Sequence, residues 1–253
     1  MERSFLGWTI FLLQEYGTLF FKGMLTTLWI SITGTFIGYL IGFAIGVIRT
    51  IPVNEEQSVG YRIIVNIVKK IVQIYVVVFR GTPMIVQAMV VYYGASQAFG
   101  IDIAPLTAAV IVLSLNTGGY AAEIVRGGIM SVDNGQIEGA KALGMTHVAS
   151  MVHVVLPQAL RNISPQLANL FVTNIKDTSV LNVISVTELF FVTKSAAGTY
   201  FRFFEAYTIT AMIYLILTIL INKILDIVEH KLDGKSDYDL VSEEELKKRM
   251  AEG

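Results

Sequence analysis

Five stretches of roughly 20 or more mostly apolar residues recur along this chain, and they constrain the fold more than any other feature. They are Met24 to Ile48, Ile71 to Phe99, Ile103 to Val125, Ile163 to Val192 and Phe204 to Val228. About 20 apolar residues in a helix cross a bilayer, and inside lipid only helices and closed barrels satisfy their backbone groups. Composition agrees. The 253 residues are 54% hydrophobic and 15% charged, where a soluble domain averages about 25% charged. The expected fold is an all-α membrane bundle of about five transmembrane helices. Residues 24–229 form the membrane domain, and residues 230–253 form a polar tail. Residues 1–23 are expected to lie along the interface through Phe5, Trp8, Phe11 and Leu12. The start lacks the basic run and small-residue cleavage site of a secretory signal.

Two stretches carry internal detail. Gly34, Gly38, Gly42 and Gly46 recur every fourth residue and share one face of the first span, where another helix can approach closely. Packing within the subunit is the favoured use of that face, ahead of a dimer seam. The second stretch is interrupted by Arg80-Gly81-Thr82-Pro83. Arg49, Arg62, Lys69 and Lys70 follow the first span, and Arg126, Lys141 and Arg161 follow the third. Lys231, Lys235, Lys247, Lys248 and Arg249 follow the fifth, while the turn Gly94 to Pro105 has no Lys or Arg. The positive-inside rule then puts the N-terminus outside and the C-terminus in the cytoplasm, with Lys194 and Arg202 counting the other way. In the tail, Ser242 with Glu245 forms a capping box, and Glu243, Glu244 and Glu245 each precede a base by four residues, as on a solvated helix.

Several functions are disfavoured. A net charge of -1 gives no footprint for nucleic acid. Zero cysteines exclude disulfides and thiol chemistry. His147 and His153 are six apart, without ligand spacing, so no metal site is expected.

The longest polar connection, about residues 127–162, reads as structured. Ile137, Ala140 and Leu143 fall on one face of a short helix over Gln136 to Leu143. Gly144 suits the left-handed turn after it, and Thr146 can cap a second helix from His147 to Leu156. Pro157 then restarts the chain. An apolar face on such a helix pair can dock into a partner's groove.

Glu138-Gly139-Ala140, then Gly144, then Leu156-Pro157, resembles the Glu-Ala-Ala loop of permeases in ATP-binding-cassette importers. Gly139 stands where the family has its first Ala. Phe79-Arg80-Gly81-Thr82-Pro83 with Gln87 looks like the second-span signature of the polar amino-acid branch. Gly118-Gly119-Tyr120, Glu123 and Arg126-Gly127-Gly128-Ile129 look like the segment before the loop, and Lys176-Asp177-Thr178-Ser179 resembles the intramembrane motif after it. The blocks keep family order and spacing from about Leu25 to Val228. The resemblance implies a multi-pass permease of the bacterial cytoplasmic membrane, carrying a polar or charged amino acid by alternating access. Glu138, Gly139, Ala140, Leu143, Gly144, Leu156 and Pro157 would transmit motion from separate ATPase subunits. A second permease, identical or homologous, and an extracytoplasmic amino-acid-binding protein are further implied partners, with lipid around them. The chain has no G-x-x-x-x-G-K-[ST] phosphate loop, so ATP and Mg are expected on the partner, with no cofactor here and no catalysis by this chain.

Ionisable groups at bilayer depth cost roughly 2.5–3.5 kcal/mol each, so they mark partners or pathways. Arg80 is read mainly as a structural partner, with the substrate carboxylate as the other option. Glu123 and Arg126, three apart, can pair on one face. On an unbroken helix Asp177 and Glu188 would share a face about 16 Å apart. The β-branched run between them also permits a broken segment. Glu188 would meet a substrate ammonium or pair with Lys194 or Arg202. Thr82, Gln87, Asn116, Tyr120, Thr178 and Ser179 complete the candidate pathway, with backbone bonding or helix packing as their plainer roles. An ion-gradient-driven carrier is the rival reading. Internal repeats, usual in such folds, are not seen.

Overall fold

The computed structural model describes residues 4–232, so the tail features around Ser242 to Arg249 lie outside it. Among the described residues every regular element is helical. The order is α1 (Phe5–Thr50), α2 (Val59–Gly81), α3 (Met84–Phe99), α4 (Pro105–Met130), α5 (Asn134–Ala142) and α6 (His147–Ser150). A π turn (Met151–Val155) then leads into α7 (Leu156–Asp177), a 3-10 turn (Thr178–Ile184), α8 (Leu189–Tyr200) and α9 (Phe203–Leu232). Helices α1, α4 and α9 are long and apolar enough to cross a membrane. The α2–α3 pair is bent by 110° and the α7–α8 segment by 55°, giving up to five spans if each bent pair counts as one.

The first span is longer than its apolar run. Ser4 Oγ accepts from Gly7 N at 3.3 Å, which caps the start, and α1 runs unbroken for 46 residues. That is roughly 70 Å at 1.5 Å per residue, about twice a hydrocarbon core. Residues 5–23 therefore belong to the same helix as Met24 to Ile48.

The glycine face of α1 packs on α4 inside this chain. Gly34, Gly38, Gly42 and Gly46 face Leu113, Thr117, Ala121 and Val125 in turn. Both series repeat every four residues, so the helices mesh rung by rung. A Cβ at any of the four glycines would overlap its α4 neighbour. Lipid tails are as apolar as Leu, so this seam is held by close packing rather than escape from water. A second core joins Ile30, Val112 and Leu113 to Leu181 and Ile184 of the 3-10 turn. Leu12, Phe20, Leu189 and Ala206 tie α1 to α8 and α9.

Two helix irregularities have chemical causes. Pro157 lies in the first turn of α7, at its junction with the π turn. The chain reaches it through the π turn, so helical winding continues from His147 rather than ending at Leu156 and restarting. Pro165 lies inside α7 and cannot bond the carbonyl four residues back, that of Arg161. The Ser164 hydroxyl donates to that carbonyl at 3.0 Å instead.

Candidate functional site

The 110° bend between α2 and α3 falls at Thr82-Pro83 and strips backbone carbonyls of helical partners. Two buried amides repair it. Gln87 Nε2 donates to Phe79 O at 3.0 Å, Thr82 O at 2.9 Å and Thr82 Oγ1 at 2.8 Å. Asn116 Nδ2 donates to Phe79 O at 3.2 Å and to Gln87 Oε1 at 3.1 Å. An uncompensated buried carbonyl would cost about 1–3 kcal/mol, so these residues hold the break open at membrane depth.

Beside the break lies a cavity of about 410 Å³. Its polar wall is Thr82, Asn116, Tyr120, Thr173, Asn174 and Asp177. Asp177 is the last residue of α7, exposed into this space, with no ion pair or hydrogen bond among the described residues. Asn174 donates to Thr35 Oγ1 at 2.7 Å and Thr117 Oγ1 at 2.9 Å, knotting α7 to α1 and α4 at the cavity floor.

The other expected pathway residues are placed differently. Arg80 stacks over the Tyr120 ring at 5.5 Å and lies 3.8 Å from Glu123. Glu123 also accepts from Arg126 and, at 2.5 Å, from Arg49, so one carboxylate joins α1, α2 and α4. Arg80 thus has partners within this chain, and the expected Glu123–Arg126 pair is present within a larger cluster. Thr178 is buried and donates to Ile175 O at 2.8 Å. Ser179 offers its carbonyl to Asn182 Nδ2 at 2.6 Å.

Glu188 departs furthest from expectation. Helix α7 stops at Asp177, Ser185 turns left-handed at φ 63°, and the broken reading of this segment holds. Glu188 becomes the N-cap of α8 and is fully buried, accepting from Phe190 N at 2.8 Å, Phe191 N at 2.6 Å and Tyr214 Oη at 3.3 Å. It meets neither Lys194 nor Arg202. Arg202 instead stacks on Trp8 at 4.6 Å and lies 3.9 Å from Glu205. A carboxylate capping two orphan N–H groups at a positive helix end is well satisfied where it is.

Sequence reading missed Leu170, Thr173 and Asn174, which line the cavity with Asp177. Their spacing carried the signal: counting back from Asp177, they sit three, four and seven residues away, on one helical face.

The polar loop folds as a helix pair against the bundle. Asp133 Oδ1 caps α5 at Gly135 N, 2.6 Å away, and Thr146 Oγ1 caps α6 at Ala149 N, 3.2 Å away. Gly144 takes φ 76° between them, a conformation that only glycine adopts at little cost. Ala140 turns inward, and Ile137, Met151 and Leu156 pack on a core of Val132, Val155 and Ile163. Glu138 and Gly139 face outward, and a Cβ at Gly139 would meet open space. Leu143 and Val148 are 84% and 69% exposed.

Comparison with known proteins agrees with this architecture. Residues 59–234 match the family described as binding-protein-dependent transport system inner membrane component. The glutamine transport system permease protein GlnP of Escherichia coli (strain K12) is 36% identical over 215 residues, 85% of this chain and 93% of that protein. The arginine transport system permease protein ArtQ of Bacillus subtilis (strain 168) is 33% identical over 211 residues, 83% of this chain and 91% of that one. A chain in the crystal structure of an amino acid ABC transporter with histidines superimposes with TM-score 0.78 at 35% identity, over 91% of this chain and 100% of its own. The inward-facing MetNI methionine ABC transporter shares the fold, with TM-score 0.71 at 20% identity, over 86% of this chain and 98% of that one. The chain thus belongs to the inner-membrane components of binding-protein-dependent transport systems, and it is a permease subunit of the ATP-binding-cassette importer type.

Proposed function

We propose that this permease carries a polar or charged amino acid across the bacterial cytoplasmic membrane, with its N-terminus outside and its C-terminus inside. The observation that carries the proposal is the cavity beside the α2–α3 break, where the Asp177 carboxylate, unpaired among the described residues, shares the wall with amide and hydroxyl groups. Asp177 would receive the ammonium group common to amino acids, and Thr82, Tyr120 and Thr173 would bond the remaining polar atoms. A polar site at a broken span is the usual place for a transported solute. The named cargoes of similar proteins, glutamine and arginine, fit such a wall.

Two permease subunits would enclose one pathway, and an extracytoplasmic binding protein would deliver the solute. Separate ATPase subunits would hold ATP and Mg, and this chain would bind no cofactor. Leu143 and Val148 would seat in grooves on those subunits, so that closure of the ATPase pair drives the loops together and opens the bundle outward. Hydrolysis would return it.

The test is reconstitution with the neighbouring ATPase and binding-protein genes, followed by uptake of labelled glutamine, arginine and cystine. Wild type is expected to accumulate at least one of them only with ATP. Asp177→Asn is expected to lose about tenfold or more of that uptake, in line with about 1.4 kcal/mol or more lost from a charge-assisted contact, while ATPase still co-purifies. Gly144→Arg is expected to retain substrate binding but uncouple ATP hydrolysis from uptake. Uptake driven by an ion gradient without ATP would overturn the reading.

A further inference from the structure

A second cavity, about 380 Å³, opens where α1 ends, and its lining is almost wholly cationic: Arg49, Lys69, Lys70, Gln73 and Arg126. We propose that it binds a phosphate anion, supplied by the headgroup of an anionic phospholipid.

Four cations border this space, and Glu123 is the carboxylate that meets two of them. Arg80 adds a further positive charge to the same carboxylate. The cluster is therefore several charges short of neutral, and such a concavity concentrates anions. Arg126 spends its three nitrogens on Glu123 and Met130, but the other three cations keep free donors. Arg49 spends one guanidinium nitrogen on Glu123, leaving most of its five N–H groups. Lys70 has no ion pair or hydrogen bond among the described residues, and Lys69 donates to the Ile51 carbonyl. Guanidinium and ammonium groups converging on one space match the three-fold acceptor geometry of phosphate.

The position favours a lipid as the source. The apolar run of α2 begins at Ile71, directly after Lys70, which sets the two lysines at headgroup level. Ile67, Ile71, Ile74 and Val78 then form an exposed stripe along α2. Lys70 lies four residues before Ile74, at the edge of that stripe, so a headgroup held by Lys70 would have its acyl chains beside it. Basic pockets between membrane helices recognise anionic headgroups in this way.

The test is native mass spectrometry of the full-length chain, with its co-purifying subunits, released from nanodiscs of mixed phosphatidylglycerol and phosphatidylcholine. Wild type is expected to retain phosphatidylglycerol selectively. Lys70→Gln should lower that retention about fivefold and the Lys69→Gln, Lys70→Gln pair roughly 30-fold. Lys194→Gln, an exposed cation on α8, should leave it unchanged. Lys70→Gln breaks no ion pair or hydrogen bond among the described residues, so the single variant reads the site even if the double variant folds poorly. A parallel arm titrates inorganic phosphate onto the protein in phosphatidylcholine-only discs. Phosphate binding that Lys70→Gln weakens, without any preference for phosphatidylglycerol, would keep the site and assign it to a soluble anion. Equal retention of both lipids together with no effect of Lys70→Gln in either arm would overturn the proposal.

Discussion

The α1–α4 seam and the cavity beside the α2–α3 break lie on adjacent faces of α4, and they solve opposite problems. The seam is close-packed, and on its α1 side the side chains are as small as the code allows, Gly34 to Gly46 against Leu113 to Val125. The cavity wall is amide, hydroxyl and carboxylate, and its backbone is interrupted at Pro83 and again after Asp177. One helix thus presents a sealed side and a wet side. The lesson is that membrane depth tolerates irregular backbone only beside something that repairs it, here Gln87, Asn116 and Ser164.

The largest test of that contrast is Gly42→Leu. Its side chain would strike Ala121 backbone and Cβ, so neither helix can yield cheaply. A loss of about 3 kcal/mol or more is expected, read as failure to isolate monodisperse protein or a large drop in thermal midpoint. A normally folded variant would mean the seam is looser than its geometry. Asn116→Ala should cost less, about 1–3 kcal/mol for the Phe79 carbonyl and Gln87 amide left underbonded. Here uptake and thermal midpoint should fall together, whereas Asp177→Asn should lower uptake alone. A stability loss in Asp177→Asn would erase the distinction between residues that shape the cavity and residues that serve it. Gly139→Ala is the smallest change. Its Cβ meets open space, so a gain of up to about 1 kcal/mol in helix propensity is expected, with uptake unaltered.

Much of the fold was legible because it rests on periodicity and local chemistry. The four-residue glycine spacing marked a packing face within the subunit but not its partner α4, Gly144 and Thr146 marked the turn and cap of the loop, and Pro83 marked the broken span. The full length of α1 was hidden because Glu15 and Lys22 interrupt its apolar run, although a single helix carries both. Asn174 was hidden because an amide on a helix reads alike whether it faces lipid, solvent or two threonines. Glu188 was hidden for a deeper reason. Its partners, the N–H groups of Phe190 and Phe191, are free only because α8 starts there, a fact set by the turn at Ser185. The cavity's polar wall was partly legible, since Thr82, Asn116, Tyr120 and Asp177 were all candidates.

The matched four-residue repeat on α1 and α4 also has a mechanical consequence. Rungs recur about every 6 Å along each axis, so an intermediate slide would drive Leu113, Thr117, Ala121 and Val125 into the backbone between glycines. The pair can move by a whole rung or not at all, like two meshed racks. It therefore serves as the stator of the subunit. Any opening of the cavity would fall to α2 and α3, where the span is already cut at Thr82-Pro83.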